Sequence, residues 1–310
     1  MDKFSTILQL STLMRKGYLK FGGTGVAIVT PFKKSGAIDF EAFERLINHT
    51  IGGGVGFIVV LGTTGESATV SKNEKKALVE FSVEAINKRV PLVVGIGGNS
   101  TADVVLTIHG TPLKGVDGIL SVCPYYTKPN QEGIYQHYKI ISESSPVPVI
   151  LYTVPGRTGS NITADTTLRL ANDCGNIVGI KEASGNFDQI FQVIKNRPAD
   201  FLVLSGDDGI TLPLLATGAD GLISVTANAY PKEVSGMVSL GLAGNFKQAA
   251  VLHYKLIDFT NALFADGSPG GIKAALEIMK LCSNNLRLPL VPVNQEIYYR
   301  IKKLIDQFEQ

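Results

Sequence analysis

The sequence predicts an α/β fold, a (β/α)8 TIM barrel with appended C-terminal helices. Short apolar runs, β-branched or bounded by glycine, recur eight times at intervals of roughly 20 to 35 residues, the length of a βαβ unit. The segments between them have the spacing of amphipathic helices. A doubly wound sheet would normally have fewer strands or a break in this alternation, so the barrel is the predicted fold.

The predicted strands are the apolar runs, and a helical segment follows each one. In chain order the runs are GVAIVT, GFIVVLG, PLVVGIG, DGILSV, PVILY, NIVGIK, FLVLSG and GLISV. The first helical segment, FEAFERLINHTI, places four apolar side chains on one stripe: Phe40, Phe43, Ile47 and Ile51. Polar residues that can cap a first turn mark three helix starts: Ser71 with Glu74, Ser100 with Asp103, and Asn186.

The domain organisation follows from where this alternation begins and ends. We expect an N-terminal extension over residues 1–21, the barrel over 22–230 and a C-terminal helical region over 231–310. The extension is basic and contains serine and threonine, which is also typical of a transit-type leader, and Met14 offers an alternative start. We interpret it as a weakly amphipathic extension.

The composition is that of a globular protein with a small-molecule substrate. Hydrophobic residues make up 45% of the chain and charged residues 18%, with a formal net charge of +2. The sequence contains no long basic block, so we expect neither a nucleic acid nor an anionic membrane as a partner. No apolar run approaches the roughly 18 residues that a membrane span requires. The three cysteines lie far apart, which favours a reducing cytoplasm over a disulfide framework or a zinc site.

Lys181 is the most informative residue for function, because it ends the apolar run NIVGIK. Where a buried strand opens into a loop, an ammonium has lost most of its water, and desolvation favours the neutral amine that can attack a carbonyl. The alternative is a lysine that only extends its charged end out of a strand. We therefore predict a Schiff-base enzyme, provided that other residues support it.

Other polar residues follow the remaining strands, and in a barrel all of these ends meet at one rim. They are Thr63 and Thr64, Tyr125 and Tyr126, Tyr152, Arg157, Gly206 with Asp207, and Ser224. Each has a structural alternative: the threonines could form a turn, the tyrosines could pack at an interface, and the arginine could pair with a surface acid. Together they suit carbonyl chemistry on a carboxylated substrate.

Rival motifs are weaker. PLVVGIGG resembles a dinucleotide-binding turn, but the acid that should end the next strand, Asp117, precedes it instead. A phosphate loop and a nucleophile elbow are both missing from the sequence, and the four histidines lack metal-ligand spacing. Asp207 and Asp208 could ligate a divalent ion as in metal-dependent aldolases, although a turn is the favoured reading. We expect no metal.

Seven segments, in this order and spacing, resemble the dihydrodipicolinate synthase family of pyruvate-dependent class I aldolases, which also includes N-acetylneuraminate lyase. They are GVAIVTPF, LGTTGESATV, CPYY, LYTVPGRTG, GIKEASGN, LSGDD and GLISVTAN. The likeness covers nearly all of the chain from about Gly22 onward. It implies condensation of pyruvate with aspartate 4-semialdehyde in lysine and diaminopimelate biosynthesis, without a coenzyme, by a cytoplasmic homotetramer built from two dimers.

The resemblance also implies roles for single residues. Lys181 would form the Schiff base with pyruvate, and Tyr152 would shuttle protons through the Thr64 hydroxyl to Tyr126 of a neighbouring subunit. Pyruvate's carboxylate would be held by Thr63 and Thr64. The pocket would be lined by Gly206 and Ile223, and Arg157 would stabilise the relay and receive the second substrate's carboxylate.

Two points stay open at this stage. Neuraminate lyases and keto-sugar-acid aldolases share the lysine and the threonine loop, although Arg157 favours a small carboxylated acceptor. A non-catalytic barrel that binds a keto acid is a remote alternative.

Family members inhibited by lysine bind it at positions that match Ser67, Ala68, Lys72, Lys75, Asn99, Asp103 and Tyr125. Because Lys72 and Lys75 would repel a cation, we expect weak or no inhibition.

Overall fold

The computed structural model describes residues 19–308, and its centre is a closed barrel of eight parallel strands in the order β1 to β8. The strands are β1 Gly23–Ala27, β2 Phe57–Val60, β3 Leu92–Gly95, β4 Gly118–Val122, β5 Val149–Thr153, β6 Ile177–Glu182, β7 Leu202–Ser205 and β8 Gly221–Ser224. The predicted TIM barrel is confirmed. β1 begins two residues before the predicted run, at Gly23, and ends at Ala27 rather than at Thr30.

A helix follows every strand, and further helices complete the chain. The helices are α1 Phe40–Gly52, α2 Lys72–Ile86, α3 Thr101–Gly110, α4 Gln131–Ser144, α5 Pro155–Thr158, α6 Ala164–Asp173, α7 Phe187–Asn196, α8 Thr211–Ala216, α9 Pro231–Leu242, α10 Phe246–Phe264, α11 Gly270–Ile278 and α12 Gln295–Phe308. Short 3-10 turns cover Leu19–Phe21, Ser67–Thr69, Asp208–Ile210 and Thr226–Asn228. Over the described residues 19–308, every helix is too short or too polar to cross a bilayer.

The predicted helix starts are confirmed by their hydrogen bonds. Ser71 and Glu74 form a reciprocal capping box at the start of α2, where each side chain accepts the other residue's backbone N–H. Ser100 accepts the N–H of Asp103, and Asn186 accepts that of Gln189. Such caps satisfy N–H groups that the first helical turn leaves without partners.

The apolar residues divide into two cores. The larger core lies between the strands and the surrounding helices, and a smaller one fills the inside of the barrel. Phe57 and Phe21 close the lower end of that inner core, the end where the strands begin. Their ring centroids lie 6.0 Å apart in an edge-to-face arrangement. A Cβ on Gly25 would lie only 2.2 Å from the Phe57 ring, so glycine at that position makes room for the ring. The open end is therefore the one where the strands terminate.

The C-terminal helices complete the ring around the barrel and then extend beyond it. α9 packs against β1, β8 and α1, and α10 packs against α9 and α8. α11 and α12 pack on each other and on α10. The predicted boundary groups α9 with the C-terminal region, and this division of the domains remains a prediction. Most of the predicted N-terminal extension lies outside the described residues.

Candidate active site

Lys181 and Tyr152 lie side by side near the carboxyl ends of two neighbouring strands. They are register partners on β6 and β5, and each side chain is only 6% exposed. The Lys181 Nζ lies 4.4 Å from the centroid of the Tyr152 ring. The predicted burial of the lysine is therefore observed, with a phenol beside it.

An irregularity in β6 turns Lys181 toward the inside of the barrel. Val149 pairs with Ile177 but the next residue of β5 pairs with Gly179, so Val178 is an extra residue, as in a β-bulge. Val178 belongs to the inner core, and strict alternation would turn Ile180 inward and Lys181 outward. The bulge reverses this: Ile180 packs in the outer core, and Lys181 lines the central cavities.

The two threonines lie on a strained loop after β2. Leu61 and Glu66, which bracket it, have left-handed φ angles of +56° and +52°. The Thr30 hydroxyl donates to the carbonyl of Gly65 over 2.7 Å, which ties the loop to the segment after β1. Thr63 is exposed, whereas Thr64 is buried.

Two cavities meet at Lys181. The larger cavity, of about 470 Å³, is lined by Thr63, Thr64, Tyr152, Arg157, Lys181 and Gly206, among others. The smaller cavity, of about 180 Å³, also contacts Thr63, Tyr152 and Lys181 but extends to Ser67, Ala68, Lys75 and Tyr125. Five of the predicted site residues thus lie around the buried amine of the sixth, Lys181.

The structure places the remaining predicted site residues elsewhere. Ile223 is fully buried in the inner core and does not line either cavity. Tyr126 is 86% exposed, with a left-handed φ of +72°, and it lies outside both cavity walls. The roles predicted for these two residues remain predictions.

The predicted effector residues fall into two groups. Ser67, Ala68, Lys75 and Tyr125 line the smaller cavity, whereas Lys72, Asn99 and Asp103 are exposed outside it. Burial lowers the pKa of Lys75, and the nearby charge of Lys72 lowers that pKa further. The two ammonium groups are therefore close enough to repel each other.

Asp208, considered above as a metal ligand, is instead a buried structural acid. Its carboxylate accepts hydrogen bonds from the Ser224 hydroxyl and, over 2.9 Å, from the Val225 N–H. Burial raises the pKa of this carboxyl group, whereas these hydrogen bonds oppose that shift. Across residues 19–308, histidine, cysteine and acidic side chains do not gather in any group of three that could hold a metal ion.

Sequence reasoning missed Glu182, the residue after Lys181. Its buried side chain accepts hydrogen bonds from the Ser184 hydroxyl over 2.6 Å and from the Gln189 amide over 2.8 Å. Gln189 also bonds to Asn161, which accepts from the Thr153 hydroxyl on β5 over 3.0 Å. The network joins β6, α7 and the loop after α5. Its sequence signal is an acid that directly continues an apolar strand.

Glu182 should make stability depend on pH. Burial raises its pKa from 4.5 to about 7, so the folded protein holds this proton more tightly than the unfolded chain. The ionised carboxylate of Glu182 therefore destabilises the folded protein. This destabilisation is absent below pH 4.5, grows as the pH rises from 4.5 to 7, and levels off above pH 7 at about 3 kcal/mol. We expect Glu182→Gln to raise the free energy of unfolding at pH 8 but not at pH 4.5, measured by denaturant titration.

A matched control for this prediction is Glu143→Gln, which changes an exposed glutamate on α4. Its effect should be small and equal at both pH values, because surface substitutions usually change stability little. A Glu182→Gln variant whose stability difference from the parent did not change with pH would contradict the prediction.

The fold and the site define a class of enzyme. A (β/α)8 barrel with a buried amine beside a phenol, and with a guanidinium at the same rim, has the layout of a lysine-dependent aldolase. The chain belongs to the dihydrodipicolinate synthetase family, whose sequence model matches residues 20–308.

Individual relatives agree with this assignment. A 4-hydroxy-tetrahydrodipicolinate synthase from Flavobacterium psychrophilum is 50% identical over 94% of this chain and 99% of its own length. One from Phocaeicola vulgatus is 48% identical over 93% and 97%. Among solved structures, a monomeric dihydrodipicolinate synthase variant superposes with a TM-score of 0.92 at 41% identity and covers 94% of this chain and 98% of its own.

Proposed function

We propose that this protein condenses pyruvate with aspartate 4-semialdehyde to 4-hydroxy-tetrahydrodipicolinate, through a Schiff base on Lys181. This is the activity for which its relatives are named, and it places the chain in lysine and diaminopimelate biosynthesis. The observation that carries the proposal is the buried amine of Lys181 beside Tyr152, at a cavity that also contains Arg157.

The first half of the reaction activates pyruvate. The Lys181 amine adds to the keto carbon, and the carbinolamine then loses water to form an imine. The protonated imine nitrogen withdraws electrons, so the methyl group can lose a proton and become an enamine carbon nucleophile. Tyr152, through Thr64 and Tyr126, moves the protons, and the threonine loop holds the pyruvate carboxylate. This chemistry requires neither a metal nor an added coenzyme.

The second half uses the aldehyde substrate. The enamine carbon attacks the aldehyde carbon, and the aldehyde oxygen takes a proton to become the product hydroxyl. The substrate's amino group then attacks the imine carbon and displaces the Lys181 amine, which closes a six-membered ring. Arg157 lines the larger cavity and is exposed, so its guanidinium can bind the acceptor's carboxylate.

The quaternary structure is part of the proposal. Tyr126 can enter the proton relay only from a second subunit, and its 86% exposure on the single chain supports that role. We propose a homotetramer built as a dimer of dimers, although one solved relative is a monomeric variant. A cytoplasmic location is supported by three free, buried cysteines, since a reducing compartment keeps such thiols unpaired.

The test of the function combines turnover with covalent trapping. The purified protein should form product from pyruvate and aspartate 4-semialdehyde, and borohydride with pyruvate should add one fixed mass to Lys181. Preferential cleavage of N-acetylneuraminate would contradict the acceptor assignment. Activity that chelators abolish and borohydride leaves unchanged would instead indicate a metal-dependent aldolase.

Lysine should inhibit weakly or not at all. Lys75 lines the smaller cavity and Lys72 lies close to it outside the cavity, so both ammonium groups would repel a cationic effector. Removing one charge with Lys75→Gln should tighten any lysine inhibition by about 1 kcal/mol, roughly fivefold. An inhibition curve on the parent protein that reaches half effect at submillimolar lysine would contradict this expectation.

A further inference from the structure

A buried ion pair lies behind the threonine loop, outside the chemistry described so far. Glu66 ends that loop, and its carboxylate meets the ammonium of Lys273 on α11. Both side chains are completely buried, with 0% exposure. The pair therefore connects the C-terminal helices directly to the loop that bears Thr63 and Thr64.

Neighbouring hydrogen bonds reinforce this connection. The second carboxylate oxygen of Glu66 accepts the backbone N–H of Arg287 over 3.1 Å. Lys273 donates to the carbonyl of Asn285 over 2.8 Å, and the Asn285 amide donates to the carbonyl of Phe32 over 2.9 Å. The contacts of Arg287 and Asn285 attach the segment after α11 to the rim of the barrel, and the bond from Lys273 holds that segment against α11.

The loop needs such support because its backbone is strained. Leu61 and Glu66 both lie in the left-handed region, where a residue other than glycine costs roughly 1–3 kcal/mol. Such a conformation persists only when its surroundings hold it in place. For Glu66 those surroundings are Lys273 and Arg287.

Net stability is a poor explanation for a pair of this kind. Removing two charges from water costs about as much as their attraction returns, and apolar residues of similar volume often stabilise a fold equally well or better. We propose that Glu66 and Lys273 are positioning residues, which hold Thr63 and Thr64 where they receive the carboxylate of pyruvate. The proposal rests on the proposed function, in which that loop binds pyruvate.

The test is a variant without either charge, Glu66→Gln with Lys273→Met. The glutamine keeps an oxygen for the Arg287 N–H, and no unpaired charge remains in the interior. The rate of borohydride trapping is measured against pyruvate concentration. We expect the half-saturating pyruvate concentration to rise roughly tenfold, with little change in the KM for the semialdehyde and little change in unfolding temperature.

The single variant Glu66→Gln provides a second measurement if the double variant does not fold. Burial lowers the pKa of Lys273, so this lysine can become a neutral amine once its partner is uncharged. We again expect the half-saturating pyruvate concentration to rise roughly tenfold. A folded variant with the parent's half-saturating pyruvate concentration would overturn the proposal.

A control pair at the opposite end of the barrel separates positioning from stability. Arg197 and Asp220 form a half-buried ion pair in the loops before β7 and β8. Arg197→Met with Asp220→Asn should lower the unfolding temperature, because it also removes the hydrogen bonds that Arg197 donates to the carbonyls of Phe201 and Gly218. The pyruvate dependence should stay unchanged. An equal rise in the half-saturating pyruvate concentration would show a general effect and overturn the proposal. If the parent itself forms no pyruvyl adduct, the proposed function fails as well.

Discussion

Lys181→Ala should abolish both turnover and the borohydride adduct, with a loss in rate of at least about a thousandfold. The reaction proposed here has one nucleophile, and removing the nucleophile of a covalent mechanism costs factors of this size or larger. Lys181→Arg should be equally inactive, because a guanidinium keeps the charge but cannot be deprotonated to attack a carbonyl. Intact-protein mass spectrometry after reduction measures the adduct, and a coupled assay measures turnover.

The matched control is Lys247→Ala, which removes an exposed lysine on α10. It should retain both the adduct and full activity. An adduct that persisted in Lys181→Ala, or that mapped to another lysine, would contradict the assignment of the nucleophile.

Gly206→Ala should reduce the rate of adduct formation by roughly a hundredfold, because displacing a reacting group by about 1 Å can cost that much. A Cβ at this position would lie 3.0 Å from the Lys181 Cε and 2.7 Å from the Ala183 Cβ. The same Cβ would lie 3.2 Å from the carbonyl oxygen of Glu182. The added methyl group would therefore press the lysine away from its place beside Tyr152.

Gly52→Ala is the control for Gly206→Ala. It adds the same methyl group at the end of α1, where no other heavy atom lies within 4 Å. Activity and adduct formation should stay at the level of the parent. Measuring the unfolding temperature of both variants separates a displaced lysine from a damaged fold, and a fully active Gly206→Ala variant would show that Lys181 accommodates the methyl group.

The fold could be predicted from the sequence because its signals are local. Eight apolar runs and the intervening helical stripes each depend on neighbouring residues, and so do the caps at Ser71, Ser100 and Asn186. The end of β1 was less predictable, because Ile28 and Val29 are as apolar as a strand interior although the strand ends at Ala27.

The site was only partly predictable, because its geometry depends on pairing between distant segments. The position of Lys181 near a strand end can be derived from the apolar run, but the bulge at Val178 depends on the register between β5 and β6. Likewise, Lys273 appears in the sequence as one lysine within a largely apolar helix, and only the folded chain shows that it meets Glu66. The burial of Glu182, at the end of the strand that bears Lys181, likewise becomes visible only in the folded chain.

The aromatic floor formed by Phe21 and Phe57 has a consequence for the order of events during catalysis. Because these rings fill the lower end of the barrel, reactants and products exchange with solvent through the rim where the strands end. Lys181 is buried there, whereas Arg157 is exposed. We therefore expect the keto acid to arrive first and to release its water before the aldehyde covers it. This is a ping-pong sequence, in which excess aldehyde should compete with pyruvate for entry.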